Sequence, residues 1–282
     1  MSAVIRWPIS GLWLAGLLIG FPAVPQTSPA PRCDVTQAPV SRWGLPSVLA
    51  EVSGLAVGRQ GHILAHGDER GVVVELDQRT GKLLGRFDLK GKPRDDFEGI
   101  ATSGRQVVLM SSAGRLYFFD MPADSGDVAY KTVDTGLGKS CEVEGLGWDT
   151  RQDQLLIPCK NGRTAATQAG LTVFRWSLGK SAPTASLQVP AGTLSKALGV
   201  PRVNLTAIEV DPVSGNLMLL ASRPAVLITL TPDGRIVGVA RLRANIHPRP
   251  EGLAVTRDAV YIGDEGMGGR GTIARYACAG GG

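Results

Sequence analysis

Between residues 51 and 89 the apolar positions fall into four short β-rich runs: Ser53-Gly54-Leu55-Ala56-Val57, His62-Ile63-Leu64-Ala65, Val72-Val73-Val74-Glu75-Leu76 and residues 83–89. Turns such as Arg79-Thr80-Gly81 separate them, so each run predicts a strand. The arrangement recurs at 99–101, 107–109, 116–119 and 128–133, and again at 145–147, 155–157 and 171–174. That third unit carries extra material at 161–170 and a predicted short helix at 191–198. A fourth unit follows at 208–210, 217–220, 226–228 and 236–242, and a fifth at 252–255, 260–262 and 272–277, one strand short.

Each unit opens on a related head. Asp96-Phe97-Glu98-Gly99-Ile100, Glu144-Gly145-Leu146 and Glu251-Gly252-Leu253 are close copies; Ser53-Gly54-Leu55 and Thr206-Ala207-Ile208 put a hydroxyl residue where the others have glutamate. Counted from Gly54, the steps are 45 to Gly99, 46 to Gly145, 62 to Ala207 and 45 to Gly252. A period near 45 residues with four strands per unit predicts an all-β, five-bladed β-propeller. The fifth blade would expose an unpaired edge, so residues 33–40 are expected to supply its outer strand and close the ring.

Four cysteines extend this picture. Cys141 precedes one head and Cys159 ends the following run, so a hairpin turning at residues 149–153 brings them together. Cys33 and Cys278 are expected to bridge the closing strand to its neighbour. Both bonds require an oxidising compartment. The N-terminus agrees: Arg6 precedes an apolar run at 7–24 and a Pro/Ser/Ala-rich stretch to residue 30. That is the shape of a signal peptide, with Ser28 and Ala30 as the small pair before a cleavage point and Pro31 disfavouring it. An uncleaved anchor, the one expected membrane link, is the alternative. Residues 1–30 are thus read as leader and 31–282 as a single propeller domain, periplasmic or secreted, and monomeric.

The formal charge of +5 across 282 residues is modest, and no basic stripe with interleaved aromatics marks a nucleic-acid surface. Three histidines, His62, His66 and His247, have no zinc-site spacing. The acidic residues carry more information. In a propeller the first strand of each blade lines the channel, so Ser53, Glu98, Glu144, Thr206 and Glu251 converge on one mouth. The second strands return there with Gly67-Asp68-Glu69-Arg70 and Gly263-Asp264-Glu265-Gly266. Crowded carboxylates must shift their pKa values, pair with Arg or Lys, or bind a cation. Oxygen ligands in number suit calcium, with Glu98, Glu144, Glu251, Asp68, Glu69, Asp264 and Glu265 as candidate ligands. Ion pairing that holds the blades together, with Arg70, Arg115, Arg223 and Arg270 as counter-charges, is the competing account.

Together Val52-Ser53-Gly54-Leu55, Gly67-Asp68-Glu69-Arg70, Asp96-Phe97-Glu98-Gly99-Ile100, Val143-Glu144-Gly145-Leu146 and Pro250-Glu251-Gly252-Leu253-Ala254-Val255 resemble the SdiA-regulated family of bacterial envelope proteins, over residues 45–278. The resemblance implies a five-bladed propeller distantly related to NHL-repeat proteins, with a calcium site and no established enzymatic activity. By carry-over it points to Glu98, Glu144 and Glu251. Two functions are therefore weighed. The first is an exported, non-catalytic propeller binding calcium, and a protein or small-molecule partner, at the acidic mouth. The second is a calcium-dependent phosphoester hydrolase resembling the β-propeller or esterase-like phytases, with Arg70, Lys90, Lys92, Arg94 and Lys160 to hold phosphate. Against it, Asp95-Asp96 is followed by Phe97 where the β-propeller phytases have Asp-Asp-Pro-Ala.

Overall fold

The computed structural model of the chain describes residues 32–180, 182–183 and 185–279; the leader expected at 1–30 lies outside them. Five sheets, antiparallel apart from one added edge segment, form the five blades of a propeller. The first contains Val52–Val57, Ile63–Gly67, Val72–Leu76 and Leu83–Leu89. The second contains Phe97–Ser103, Gln106–Ser111, Arg115–Asp120 and Lys131–Asp134. In the third, Cys141–Val143 and Gly147–Asp149 both pair with Gln154–Gly162, followed by Gly170–Ser177 and Ala185–Pro190. The fourth is Asn204–Val210, Leu217–Arg223, Ala225–Leu230 and Ile236–Arg241. The helix expected in the long third unit forms at Ala191–Leu198.

Burial follows position in the blade. The innermost strand Val52–Val57 is buried along almost its whole length because neighbouring blades cover both faces. The outer strand Ile236–Arg241 alternates half-buried and exposed residues, the pattern of a strand with one face in water. The apolar core is divided accordingly into five clusters, each shared by two adjacent blades. Phe87 and Phe97 belong to the cluster between the first and second, Met110 and Trp148 to that between the second and third, and Leu156 and Leu219 to that between the third and fourth. Leu220 and Leu253 share the cluster between the fourth and fifth, and Tyr261 and Leu55 the one where the fifth closes on the first. Each buried Leu or Phe contributes on the order of 1.5–3 kcal/mol, so a blade is stabilised chiefly by its neighbours.

The fifth blade consists of Pro250–Val255, Ala259–Asp264 and Thr272–Ala277, and the N-terminal segment completes it. The closing strand is Ser41–Gly44, with Ser41 opposite Arg275, later in the chain than the expected 33–40. Beyond Val40, whose N–H still donates to the Arg275 carbonyl at 2.8 Å, the upstream residues cannot continue it: Asp34 Oδ1 accepts from the Thr36 N–H and hydroxyl in a tight turn, and Pro39 has no N–H to give the ladder. Cys33 instead forms a lone bridge with Cys278 and the two are disulfide-bonded, Cα atoms 4.1 Å apart. Cys141 and Cys159 are bonded as well, at 5.8 Å.

The run at 128–133 also divides in two. Gly126–Val128 pairs in parallel with Phe87–Leu89 on the outer edge of the first blade, and only Lys131–Asp134 belongs to the second. The earlier segment covers a sheet edge that would otherwise stand open.

Candidate functional site

Four innermost strands break register at the same point: between Val52 and Gly54, Phe97 and Gly99, Leu205 and Ala207, and Pro250 and Gly252. The residue passed over is Ser53, Glu98, Thr206 or Glu251. In the third blade the strand itself is interrupted between Val143 and Gly147, which leaves Glu144 at the equivalent place. A bulge re-aims one side chain out of the ladder, and here it does so once per blade at one end of the channel.

The glycine beside each glutamate has a separate cause. A Cβ on Gly99 would stand 2.8 Å from the Gly145 carbonyl carbon and the Leu146 nitrogen. Gly145 has φ +82°, and its Cβ would stand 2.7 Å from Ala207 Cα. Backbones of adjacent blades touch at these positions, and the Gly145 N–H donates to the Glu98 carbonyl at 2.6 Å. The Glu-Gly pair therefore combines an inward carboxylate with a close blade-to-blade approach.

Glu98, Glu144 and Glu251 are brought together. The Ser53 hydroxyl donates to Glu98 Oε2 at 2.7 Å. Glu144 is almost wholly buried; it pairs with the Lys160 ammonium and lies within hydrogen-bonding reach of the Glu251 carboxyl. Burial first, and then the neighbouring Glu144 charge, push Glu98 up to about 8. Burial and the Glu251 charge do the same to Glu144, against the opposing pull of Lys160. Glu251 is also raised, by burial above all. Burial acts to lower Lys160, but Glu144, Glu98 and Glu251 together outweigh it and hold the ammonium charged.

The remaining candidates lie around this centre in separate roles. Arg249 bridges Glu251 (3.5 Å) and Glu265 (2.8 Å). Asp68 and Glu69 line a 360 Å³ rim cavity with Arg94, Asp95 and Asp96, where Arg94 reaches Glu69 at 3.4 Å. Asp264 is not at the mouth: it accepts from His247 Nδ1 at 2.7 Å, and His247 Nε2 meets the Tyr276 hydroxyl at 2.6 Å, all buried. The two Gly-Asp-Glu motifs are out of step by one residue, since Gly67 faces Val52 while Asp264 faces Pro250. Of the four arginines expected as counter-charges, Arg115 reaches Asp95 at 4.0 Å, and among the described residues the other three form no ion pair.

Lys160 and Arg249 take the role expected of those arginines. Lys160 directly follows Cys159, whose partner is Val143, so it occupies the register position of Asp68. The sequence puts Lys160 near the mouth as a cation for phosphate; the structure gives it the role of counter-charge to Glu144 instead.

The donor set is oxygen-rich and free of thiol and imidazole, which matches calcium and not zinc. Among the described residues no three carboxylate, imidazole or thiol groups stand close enough together to hold an ion in this conformation. Coordination would need Glu98 and Glu251 to close on the position that the Lys160 ammonium now neutralises.

Among solved structures, the chain is similar to glutaminyl cyclase from Myxococcus xanthus at 15% identity and TM-score 0.59, over 85% of this chain and 96% of that one. It is also similar to the PQQ-bound aldose sugar dehydrogenase from Streptomyces coelicolor, at 15% identity and TM-score 0.49, over 85% and 100%. At such identities the likeness concerns the fold alone. No curated protein matches the chain. A family model described as SdiA-regulated matches residues 33–266, most of the propeller, and the chain belongs to the SdiA-regulated family.

Proposed function

We propose that the protein is an exported, non-catalytic propeller that binds calcium at the acidic mouth of its channel and presents that face to a protein or small-molecule partner. The observation that carries this reading is the convergence of Glu98, Glu144 and Glu251, from three blades, around one shared ammonium. One cation cannot neutralise three carboxyls, so burial keeps protons on them; a divalent ion would displace those protons and hold the carboxylates ionised. Bound there, calcium would supply charge neutralisation and a tie between blades. Ser53 offers a further oxygen, and Lys160, a quarter exposed, has an outward path when it is displaced. Export is supported by the two disulfides, which persist in oxidising compartments.

The hydrolase reading has less support. Lys92 lies 3.7 Å from Asp88, Arg94 is held by Glu69 and Lys160 by Glu144, so three of the five cations expected to receive phosphate are already paired. Calcium titration by calorimetry, with thermal melting in parallel, tests the proposal. Binding that raises the melting midpoint, and that disappears in the Glu98→Gln/Glu251→Gln variant, is the expected result. A wild-type titration with no heat and no midpoint shift at millimolar calcium would sink it.

A further inference from the structure

The opposite end of the channel holds a larger cavity, of 730 Å³, to which all five blades contribute: Val57, Thr102, Trp148, Glu209 and Val255 lie one per blade where the innermost strands end. It lies at the other end of these strands from the acidic mouth and is independent of any metal there. Its volume falls within the range of small-molecule sites, roughly 300–1,000 Å³.

Its charges are arranged in depth. The charged groups facing it are Arg59, Arg151, Glu209, Asp211 and Arg257. Two are already engaged. Arg59 pairs with Glu75 and donates to the Pro122 and Ala123 carbonyls, and Asp211 pairs with Arg32 at 2.7 Å and caps its own turn. The other three have no ion pair among the described residues. Glu209 retains some water-accessible surface but is surrounded by protein, as a side chain inside a channel must be, and its carboxyl accepts only from the Val210 N–H. Arg151 and Arg257 are exposed at the rim. The Arg257 backbone is held in place by a hydrogen bond from Arg32 to its carbonyl.

An unpaired carboxyl inside, unpaired guanidiniums at the entrance and an apolar lining that includes Val57, Val255 and Trp148 define a complementary ligand. Buried polar groups require partners, and a guanidinium is suited to a carboxylate. We propose that this mouth binds a small zwitterion of the apolar amino-acid class, its ammonium against Glu209, its carboxylate against Arg151 and Arg257, and its side chain along the apolar lining.

The test is calorimetric titration of the purified chain at about pH 9, where Glu209 is ionised, with L-leucine, L-methionine and L-phenylalanine, and with isopentylamine and 4-methylpentanoate as probes that keep one charge each. At least one amino acid binds, more tightly than either single-charge probe. Glu209→Gln weakens that binding about tenfold to a hundredfold, the effect of losing one charged hydrogen bond, and the exposed pair Arg151→Ala/Arg257→Ala weakens it similarly. Absence of binding by all three amino acids, or binding unchanged in the arginine double variant, overturns the proposal.

Discussion

The Lys160 ammonium meets the Glu144 carboxylate inside the channel mouth, where Glu144 keeps 3% of its exposure and Lys160 25%. The two are joined through the third blade's hairpin, close to its disulfide. Removing one partner of a buried pair strands the other charge. Lys160→Met is therefore expected to lower stability by about 3 kcal/mol at about pH 9, above the value of about 8 to which Glu144 is pushed, the low end for an interrupted buried pair because Lys160 is partly solvated. Calcium should restore most of that loss if it takes the vacated position. Urea unfolding with and without calcium measures both effects; a variant as stable as wild type in calcium-free buffer would show that the pair contributes nothing.

The two disulfides close loops of very different size. Cys33 and Cys278 are separated by 245 residues, Cys141 and Cys159 by 18. On the chain-entropy account the first stabilises by about 5 kcal/mol and the second by about 3. Cys33→Ser/Cys278→Ser should thus melt well below Cys141→Ser/Cys159→Ser. Comparable midpoints would mean that the interface between the fifth and first blades, whose cluster holds Leu55 and Tyr261, closes the ring by itself.

Gly145 tests the close approach of the third and fourth blades. Alanine there would have to hold φ near +82° and place its Cβ 2.7 Å from Ala207 Cα and 2.9 Å from the Thr206 carbonyl. Backbone strain and overpacking each cost about 1–3 kcal/mol. Gly145→Ala should accordingly lose at least about 2 kcal/mol by urea unfolding, whereas Gly104→Ala, where a Cβ meets nothing within 4 Å, keeps only the φ penalty.

The blade count was legible because a related head, Glu-Gly-Leu or Glu-Gly-Ile in three blades and Ser-Gly-Leu or Thr-Ala-Ile in the other two, recurs wherever an innermost strand begins, and both disulfides followed from strand order. What the sequence concealed depends on register and on long-range pairing. Gly67-Asp68-Glu69 and Gly263-Asp264-Glu265 read as one motif, yet Asp264 has the ladder position of Gly67 and turns into the blade toward His247. Local sequence holds no sign of that offset, because the bulge preceding it is set by the partner strand. Gly126–Val128 pairs with a strand some forty residues upstream in another blade, and nothing in its own composition names that partner. Glu209 was invisible as a channel residue for a similar reason: its run reads as an ordinary apolar strand with one charge.

Glu209 makes the last prediction, through pH. Burial pushes its carboxyl up to about 8, with the Val210 N–H opposing, while in the unfolded chain it titrates near the ordinary glutamate value of about 4.3. Between those two values the folded chain keeps a proton that the unfolded chain has released, so this residue's contribution is full below the lower value and declines as pH rises toward the upper. Each pH unit in that window removes up to about 1.4 kcal/mol. Glu209→Gln cannot lose a proton and shows no such decline. The difference in stability between variant and wild type should grow from about pH 4.5 to about 8 and then level off. Urea unfolding of the two proteins across that range measures it, and a difference that stays flat would place the Glu209 carboxyl in full contact with water and remove it as the inner contact of the second mouth.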